Sequence, residues 1–368
     1  MKRHPFAIYA ITKHGLESGK TLLESLPDAH LYVSKKFEKL APEGSKILPL
    51  PFSPLLKETF PNYDCHIFII SVGAVVRMVA PYLVSKKTDP AVICIDDAAK
   101  FSICVLSGHV GRGNEYTDRV ADALQCTSVV TTASDRLGTL TVDILGRDLG
   151  WVLDDPDRNV TMGCAAVVNE EKVMFIQEAG ETNFWPKPLP KNISYTTDID
   201  KVDPNDYGCL LIASDRDLRI SYPQHFEKSV IYRPKSLIIG MGCDKGTPLS
   251  LLRSGLLSQL KSEGIDYRCI RAIATIDLKK DEPGLVALAA ELNVPLLCSD
   301  AETLDAVDGI ENPSEVVRKF VGCRAVAEAA ALHWAGASKL LVSKRKYTEA
   351  SVERNMTLAV ARVAADSY

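Results

Sequence analysis

Over residues 1–136 the chain switches repeatedly between short, nearly unbroken apolar runs and stretches in which apolar side chains return every three or four positions. The first rhythm suits buried strands and the second amphipathic helices, so this segment predicts a doubly wound α/β domain. FAIYAI, HLYV, KILPL, DCHIFIIS, AVICID, FSICVLS and SVVTT read as strands, while GLESGKTLLESL, VGAVVRMVAPYL as far as Pro81, and GRGNEYTDRVADAL read as helices. AVICID and FSICVLS are joined by too few polar residues for a crossover helix, which predicts antiparallel pairing between them.

From 137 to 233 the texture changes. CAAVVNEEKVMFIQEAG places two apolar runs around Asn-Glu-Glu-Lys and reads as a hairpin. FWPKPLPKNISYTTDID is proline-rich and aperiodic, YGCLLIAS and SVIYR are further strands, and a small α+β middle domain is expected. Residues 234–368 return to the α/β rhythm: SLIIGMG, RCIRAIATID, VPLLCS, KLLVSK and MTLAVARV as strands, with TPLSLLRSGLLSQLKSEG, EPGLVALAAEL and AVAEAAALHWAG as helices. The expected architecture is therefore two three-layer α/β/α domains, 1–136 and 234–368, flanking the small domain 137–233. A chain of 368 residues is long enough to need more than one core. No internal repeat or low-complexity tract interrupts this plan.

Composition excludes several classes of function. A hydrophobic share of 46% and a charged share of 24% are ordinary for a soluble globular protein. The longest apolar runs, IFIISVGAVV and SLIIGMG, stop short of the ~20 residues that span a bilayer, and the N-terminus leads into a strand rather than a signal core. A cytoplasmic protein without membrane contact is expected. A net charge of −4 without a basic stripe argues against a nucleic-acid partner. The 10 cysteines lie ten or more residues apart with no CxxC pair, so neither a metal site nor a disulfide framework is indicated.

Candidate chemistry concentrates in two glycine-bearing stretches. In LSGHVGRGNEYTDRVADAL a strand turns into a helix, and His109 stands among Gly108, Gly111 and Gly113. Gly108 and Gly111 permit positive φ or close approach of a ligand, Asn114 and Thr117 can satisfy free backbone donors, and Arg112 lies beside the histidine. Such an imidazole titrates near neutral pH and could act as general acid or base, or it could simply line a turn. Upstream, Asp96 and Asp97 end a buried strand, where α/β ligand sites usually form, although Asp-Asp-Ala-Ala-Lys is also ordinary turn chemistry. Thr131, Thr132, Ser134 and Asp135 close the next strand with small polar groups suited to a ligand or a helix cap. Arg77 sits on a helix that stops at Pro81, a place where a solvated face is the plainer reading.

The second stretch, GMGCDKG, follows a strand and precedes a helix with the spacing Gly-x-Gly-x-x-x-Gly: Gly240, Gly242 and Gly246. That is looser than the dinucleotide fingerprint, but a glycine turn here would free backbone N–H groups for a carboxylate or phosphate, with Lys245 beside it. Cys243 would be a nucleophile if the helix start lowered its pKa, and a structural thiol otherwise. IDLKKDEPG puts Lys279 and Glu282 before a helix whose first residue is expected to be Pro283. Glu328 stands in the otherwise apolar AVAEAAAL, facing either solvent or a site.

In this order the segments resemble the cobalamin-biosynthesis family CbiG, the cobalt-precorrin-5A hydrolases. The resemblance rests on SVGAVVRMVAPYLVSKKTDPAVICID, LSGHVGRGNE and VVTTASD in the first domain, and on IIGMGCDKGT, IATIDLKKDEPGL, CRAVAEAAAL and KYTEAS in the last; the middle matches only by length and position. The chain departs from the family at Arg112-Gly113, where Gly-Ala is usual, while keeping His109 and Asn114. The resemblance implies opening of the ring A acetate δ-lactone of cobalt-precorrin-5A with release of acetaldehyde, and a tetrapyrrole whose own cobalt makes a resident metal or organic cofactor unnecessary. Passing contacts with neighbouring pathway enzymes are compatible with it.

On this reading the macrocycle lies between the end domains, with His109 as acid/base and Asp96 or Asp97 orienting it or the water. Gly108, Gly111, Arg112, Asn114, Thr132, Asp135 and Arg77 in the first domain hold substrate. The GMGCDKG turn, Lys279, Glu282 and Glu328 do so in the last. A carrier that passes tetrapyrroles without chemistry, and a nucleotide-binding enzyme using GMGCDKG, are the competing readings.

Overall fold

The computed structural model describes residues 3–134, 138–185, 187–350 and 352–364. Two compact units divide the chain at Ile144 and Leu145.

The first unit is built on a seven-stranded sheet in the order β3-β2-β1-β4-β5-β6-β7. Its strands are β1 (His4–Ala10), β2 (Ala29–Ser34), β3 (Lys46–Leu48), β4 (Tyr63–Ile69), β5 (Ala91–Ile95), β6 (Phe101–Leu106) and β7 (Thr127–Val129). All neighbours are parallel except β5 and β6, which pair antiparallel as their short connection requires. Helices α1 (Lys13–Ser25) and α4 (Gly113–Leu124) cover one face, and α2 (Ser53–Thr59) and α3 (Val72–Val79) the other. Each face has its own apolar cluster: Leu16, Leu22, Ile67 and Val120 on one side, Phe52, Leu56, Phe68 and Val79 on the other. The central strands β4 and β5 are buried along almost their whole length, which is why they read as unbroken apolar runs. Inside the second cluster His66 is fully buried, its Nδ1 3.0 Å from the Tyr9 hydroxyl, and burial drives its pKa down to about 3.

The second unit carries two sheets. The first is five-stranded, β10-β9-β11-β12-β8, from β8 (Val152–Leu153), β9 (Val173–Gln177), β10 (Ile193–Thr196), β11 (Cys209–Ala213) and β12 (Ser229–Arg233). The hairpin expected in CAAVVNEEKVMFIQEAG is not formed. Val160–Val168 is helix α5, and only the second apolar run, β9, is a strand, pairing parallel with β10 and β11. An apolar run of this length fits a buried helix as well as a strand, and here packing decides for the helix.

The second sheet, β15-β14-β13-β17-β16, comprises β13 (Leu237–Cys243), β14 (Ile270–Ile276), β15 (Leu296–Ser299), β16 (Val342–Glu349) and β17 (Val352–Arg362). Helices α6 (Leu249–Ser262) and α7 (Pro283–Leu292) pack on one face, and α9 (Ala327–Ala335), preceded by α8 (Glu315–Val321), on the other. The expected three-layer plan is present at both ends of the chain. Buried carboxylates paired with partly exposed arginines join the two sheets of this unit: Arg362 forks onto Asp215 with both bonds at 2.7 Å, and Arg268 bonds Asp154 as well as Asp266, the latter at 2.6 Å. Among the described residues no helix is long and apolar enough to cross a membrane.

Candidate functional site

Between β6 and α4 the backbone takes a tight double bend. Ser107 and Arg112 both adopt the left-handed conformation, with φ of 56° and 60°, and Gly113 N–H and Asn114 N–H donate to the carbonyls of Ser107 and Gly108. The glycines serve close approach: a Cβ on Gly108 would sit 2.6 Å from Asn114 Oδ1. Asn114 therefore lies flat over the loop, and its Nδ2 donates to Thr132 Oγ1 at 2.8 Å, tying the loop to the chain beyond β7.

That tie brings three side chains into line. His109 Nδ1 is 3.1 Å from Asp143 Oδ2, and His109 Nε2 is 3.1 Å from Ser134 Oγ. The carboxylate fixes the proton on Nδ1 and leaves Nε2 as the acceptor for the serine hydroxyl. The imidazole retains 18% exposure and Asp143 22%, so the group is recessed and reachable, while Ser134 keeps 7%. Asp143 Oδ1 has no hydrogen-bond partner among the described residues.

Asp143, and neither Asp96 nor Asp97, is thus the carboxylate on the imidazole. Asp96 accepts the backbone N–H groups of Lys100 and Phe101 at 2.8 and 2.7 Å and closes the β5–β6 turn, and Asp97 bonds Thr12 and lies 3.4 Å from His14. Arg112 pairs with Glu115 at 2.9 Å and borders a separate pocket of about 260 Å³ with Arg3 and Asp89. Arg77 donates to the Gly73 carbonyl of its own helix. Asp135 lies outside the described residues. Asp143 was placed by sequence in the middle domain, yet it belongs to the first unit, which runs to Ile144. Its signal in the sequence is faint: one acid in the apolar stretch TLTVDILG.

The GMGCDKG segment behaves otherwise. Gly240 and Gly242 lie within β13, and only Gly246, with φ of 74°, turns the chain. Gly240 is there because α9 crosses the strand so closely that a Cβ would fall 1.8 Å from the Ala327 carbonyl oxygen. The Gly246 N–H, offered by sequence to an external anion, donates at 2.8 Å to Glu282, which also takes Lys279 at 2.9 Å. Burial pushes the Glu282 carboxyl up, but these bonds outweigh it and hold it below the usual range. Burial pushes the Cys243 thiol up, away from the thiolate a nucleophile needs. Lys245 is exposed beside this turn. Glu328 is fully buried and accepts four bonds of 2.8 to 3.0 Å, from the backbone N–H groups of Glu311, Asn312 and Lys344 and from Asn312 Nδ2. It pins a loop to β16 and faces no opening.

Above that pinned loop is a groove of about 700 Å³. Its floor is apolar, including Ile276, Val316, Val317, Val326 and Met356, with Gly242 and Cys243 at one end. Lys279, Arg324, Lys344 and Lys346 line it with the acid Asp244; Lys279 is paired with Glu282 and Arg324 with Asp305, which leaves Lys344 and Lys346 as the cations facing it without a carboxylate of their own among the described residues. An apolar lining with two lysines at its edge suits a flat hydrophobic ligand carrying carboxylates. The residues that make it come from six strands and helices, β13, β14, α8, α9, β16 and β17, and the turns between them, and of them sequence reading had singled out only Gly242, Cys243 and Lys279. Among the described residues no cluster of three or more His, Cys, Asp or Glu side chains could hold a metal ion.

Three family models match successive parts of the chain: cobalamin synthesis G N-terminal over residues 54–135, cobalamin biosynthesis central region over 140–234, and cobalamin synthesis G C-terminus over 237–361. Cobalt-precorrin-5A hydrolase of Priestia megaterium is 38% identical over 369 residues, covering 99% of this chain and 96% of the relative. The cobalt-precorrin-5A hydrolase of Salmonella typhimurium is 30% identical over 331 residues, covering 90% and 92%. A solved structure of a cobalamin biosynthesis protein G homologue from Sulfolobus solfataricus is 22% identical and covers 98% of each chain with a TM-score of 0.38.

Proposed function

The chain belongs to the cobalamin synthesis G family, and from that premise we propose that it is a cobalt-precorrin-5A hydrolase. It opens the ring A acetate δ-lactone with water and releases the bridging two-carbon unit as acetaldehyde, giving cobalt-precorrin-5B on the anaerobic route to cobalamin. The observation that carries the chemistry is the imidazole of His109 held by Asp143 with Nε2 turned to a hydroxyl. Lactone opening needs a base as the nucleophile attacks and an acid as the alkoxide leaves, and one imidazole of fixed tautomer can do both in turn. The groove of the last sheet, considered by itself, has the apolar lining and lysines that suit a tetrapyrrole bearing acetate and propionate groups. On this reading the protein needs no resident cofactor, since the cobalt arrives with the substrate.

The test is to incubate the protein with cobalt-precorrin-5A and trap acetaldehyde. Wild-type protein is expected to release one acetaldehyde per substrate, and His109→Ala to bind the tetrapyrrole but release none at a measurable rate. Tight binding without release by the wild type would replace the hydrolase with a carrier. The nucleotide-binding alternative finds no support in GMGCDKG, whose Gly246 amide is already taken by Glu282.

A further inference from the structure

Ser134 is not required to be anything more than a small polar residue after β7, yet its surroundings are those of an activated nucleophile. Its hydroxyl is recessed, 3.1 Å from an imidazole nitrogen that Asp143 has left unprotonated. Its position is fixed on both sides: the Thr139 N–H donates to the Ser134 carbonyl at 3.0 Å, and Thr132, two residues earlier, accepts from Asn114. A buried serine hydroxyl commonly bonds back to a backbone carbonyl one turn earlier. Here it is aimed at the base instead.

We infer that the lactone is opened by Ser134 itself, through an ester between its Oγ and the ring A acetate, with water entering only in a second step; this rests on the hydrolase reading above. In the first step the Ser134 proton passes to His109 Nε2 as Oγ adds to the lactone carbonyl carbon, and the carbonyl electron pair moves onto oxygen. That pair returns as the lactone C–O bond breaks, and the ring oxygen leaves with its electrons, taking the proton from His109. The freed hydroxyl carbon becomes the carbonyl of acetaldehyde when its bond to the macrocycle breaks; the electron pair stays on the macrocycle, and the hydroxyl proton is released as the macrocycle takes one up. In the second step His109 removes a proton from water, hydroxide adds to the ester carbonyl, and Ser134 Oγ leaves and is reprotonated. The sum is one water consumed, one carboxylic acid and one acetaldehyde formed.

The three members, at 109, 134 and 143, all belong to the first unit. The order along the chain is His, Ser, Asp, and geometry rather than order defines such a triad.

The experiment has two arms. In the first, native protein is treated with diisopropyl fluorophosphate and digested for mass spectrometry; the adduct is expected on Ser134 and is expected to vanish in His109→Ala. In the second, acid-quenched single turnovers with cobalt-precorrin-5A should show a peptide containing Ser134 esterified by the macrocycle, and Ser134→Ala should lose at least about a thousand-fold in acetaldehyde release while binding substrate as before. Ser134→Cys keeps a nucleophile in place and should retain part of the activity and form a thioester, which excludes misfolding as the cause of the alanine result. Ser134→Ala that still releases acetaldehyde at the native rate overturns the inference and leaves the hydrolase intact. A native protein that releases none overturns the hydrolase reading first.

Discussion

The two glycine stretches at opposite ends of the chain look alike in sequence and do different work. In LSGHVGRGN the backbone bends through two left-handed residues, and the missing side chain of Gly108 makes room for Asn114 to anchor the loop that carries His109. In GMGCDKG the first two glycines lie in a straight strand, where Gly240 lets a helix press against the sheet, and the one free amide is closed internally by Glu282. A glycine pattern shows where backbone comes close to something. Whether that something is a ligand, a helix or a side chain depends on what packs there.

The sharpest way to break this contrast is at the carboxylates. Asp143→Asn should lower kcat about 10⁴-fold in the acetaldehyde assay with KM little changed, because an amide presents the wrong partner to Nδ1. Asp97→Asn should leave turnover near that of the native protein; an equal loss in both would remove the distinction between the triad and the β5 loop.

Next come the glycines themselves. Gly240→Ala should destabilise the last sheet by about 3 kcal/mol or prevent folding, read as a shift in the urea midpoint, because the new methyl meets a backbone carbonyl that cannot move aside. Gly108→Ala should do the reverse. It displaces Asn114 from Thr132, costing about 10²-fold in turnover with a smaller change in stability.

Acid separates the two ends as well. His66 is held neutral by burial, with a pKa of about 3 against 6.5 when unfolded. Below pH 6.5 the unfolded chain takes a proton that the folded one refuses, so stability falls by about 1.4 kcal/mol per pH unit until the folded pKa is reached. In the last sheet Glu328 is pushed up by burial but held below its ordinary 4.5 by the bonds it accepts, so its contribution is lost only as pH drops beneath that value. Hydrogen exchange between pH 6.5 and 5 should therefore show loosening around β4 and α2 while α9 stays protected, and His66→Phe should flatten the first response.

Smaller effects refine the picture. Lys346→Ala should raise KM about tenfold at unchanged kcat and make binding less sensitive to salt, as expected for a cation that grips a substrate carboxylate. Arg112→Gly should stabilise the protein by about 1 kcal/mol, seen as a higher Tm, since it relieves a left-handed side-chain residue.

Much of this architecture was legible in the chain. The buried strands β4, β5 and β13, the antiparallel β5–β6 turn and the start of α7 at Pro283 all follow from local period and turn chemistry. Val160–Val168 misled because an apolar run without a marked period fits either a helix or a strand, and only the parallel neighbours of β9 select the helix. His109 and Asn114 stood out through their glycine context, and Thr132 through the small polar groups that close its strand. Asp143 left only a faint trace, one acid in an apolar stretch, and Lys346 none, because its neighbours in KLLVSKRKYTE do not distinguish it from a surface charge.

By itself the sequence determined which segments become strands and helices, that both end domains are layered α/β units, and that a histidine sits at a strand-to-helix turn. Periodicity and glycine placement act over a few residues, and that is the range on which those features are set. Tertiary structure alone decided that Asp143 and Ser134 meet His109 across 34 and 25 residues of chain, and that Glu282 fills the turn once offered to a ligand. Partners so far apart in sequence are brought together only when the sheet and its helices pack, and neither the period nor the composition of the chain carries that distance.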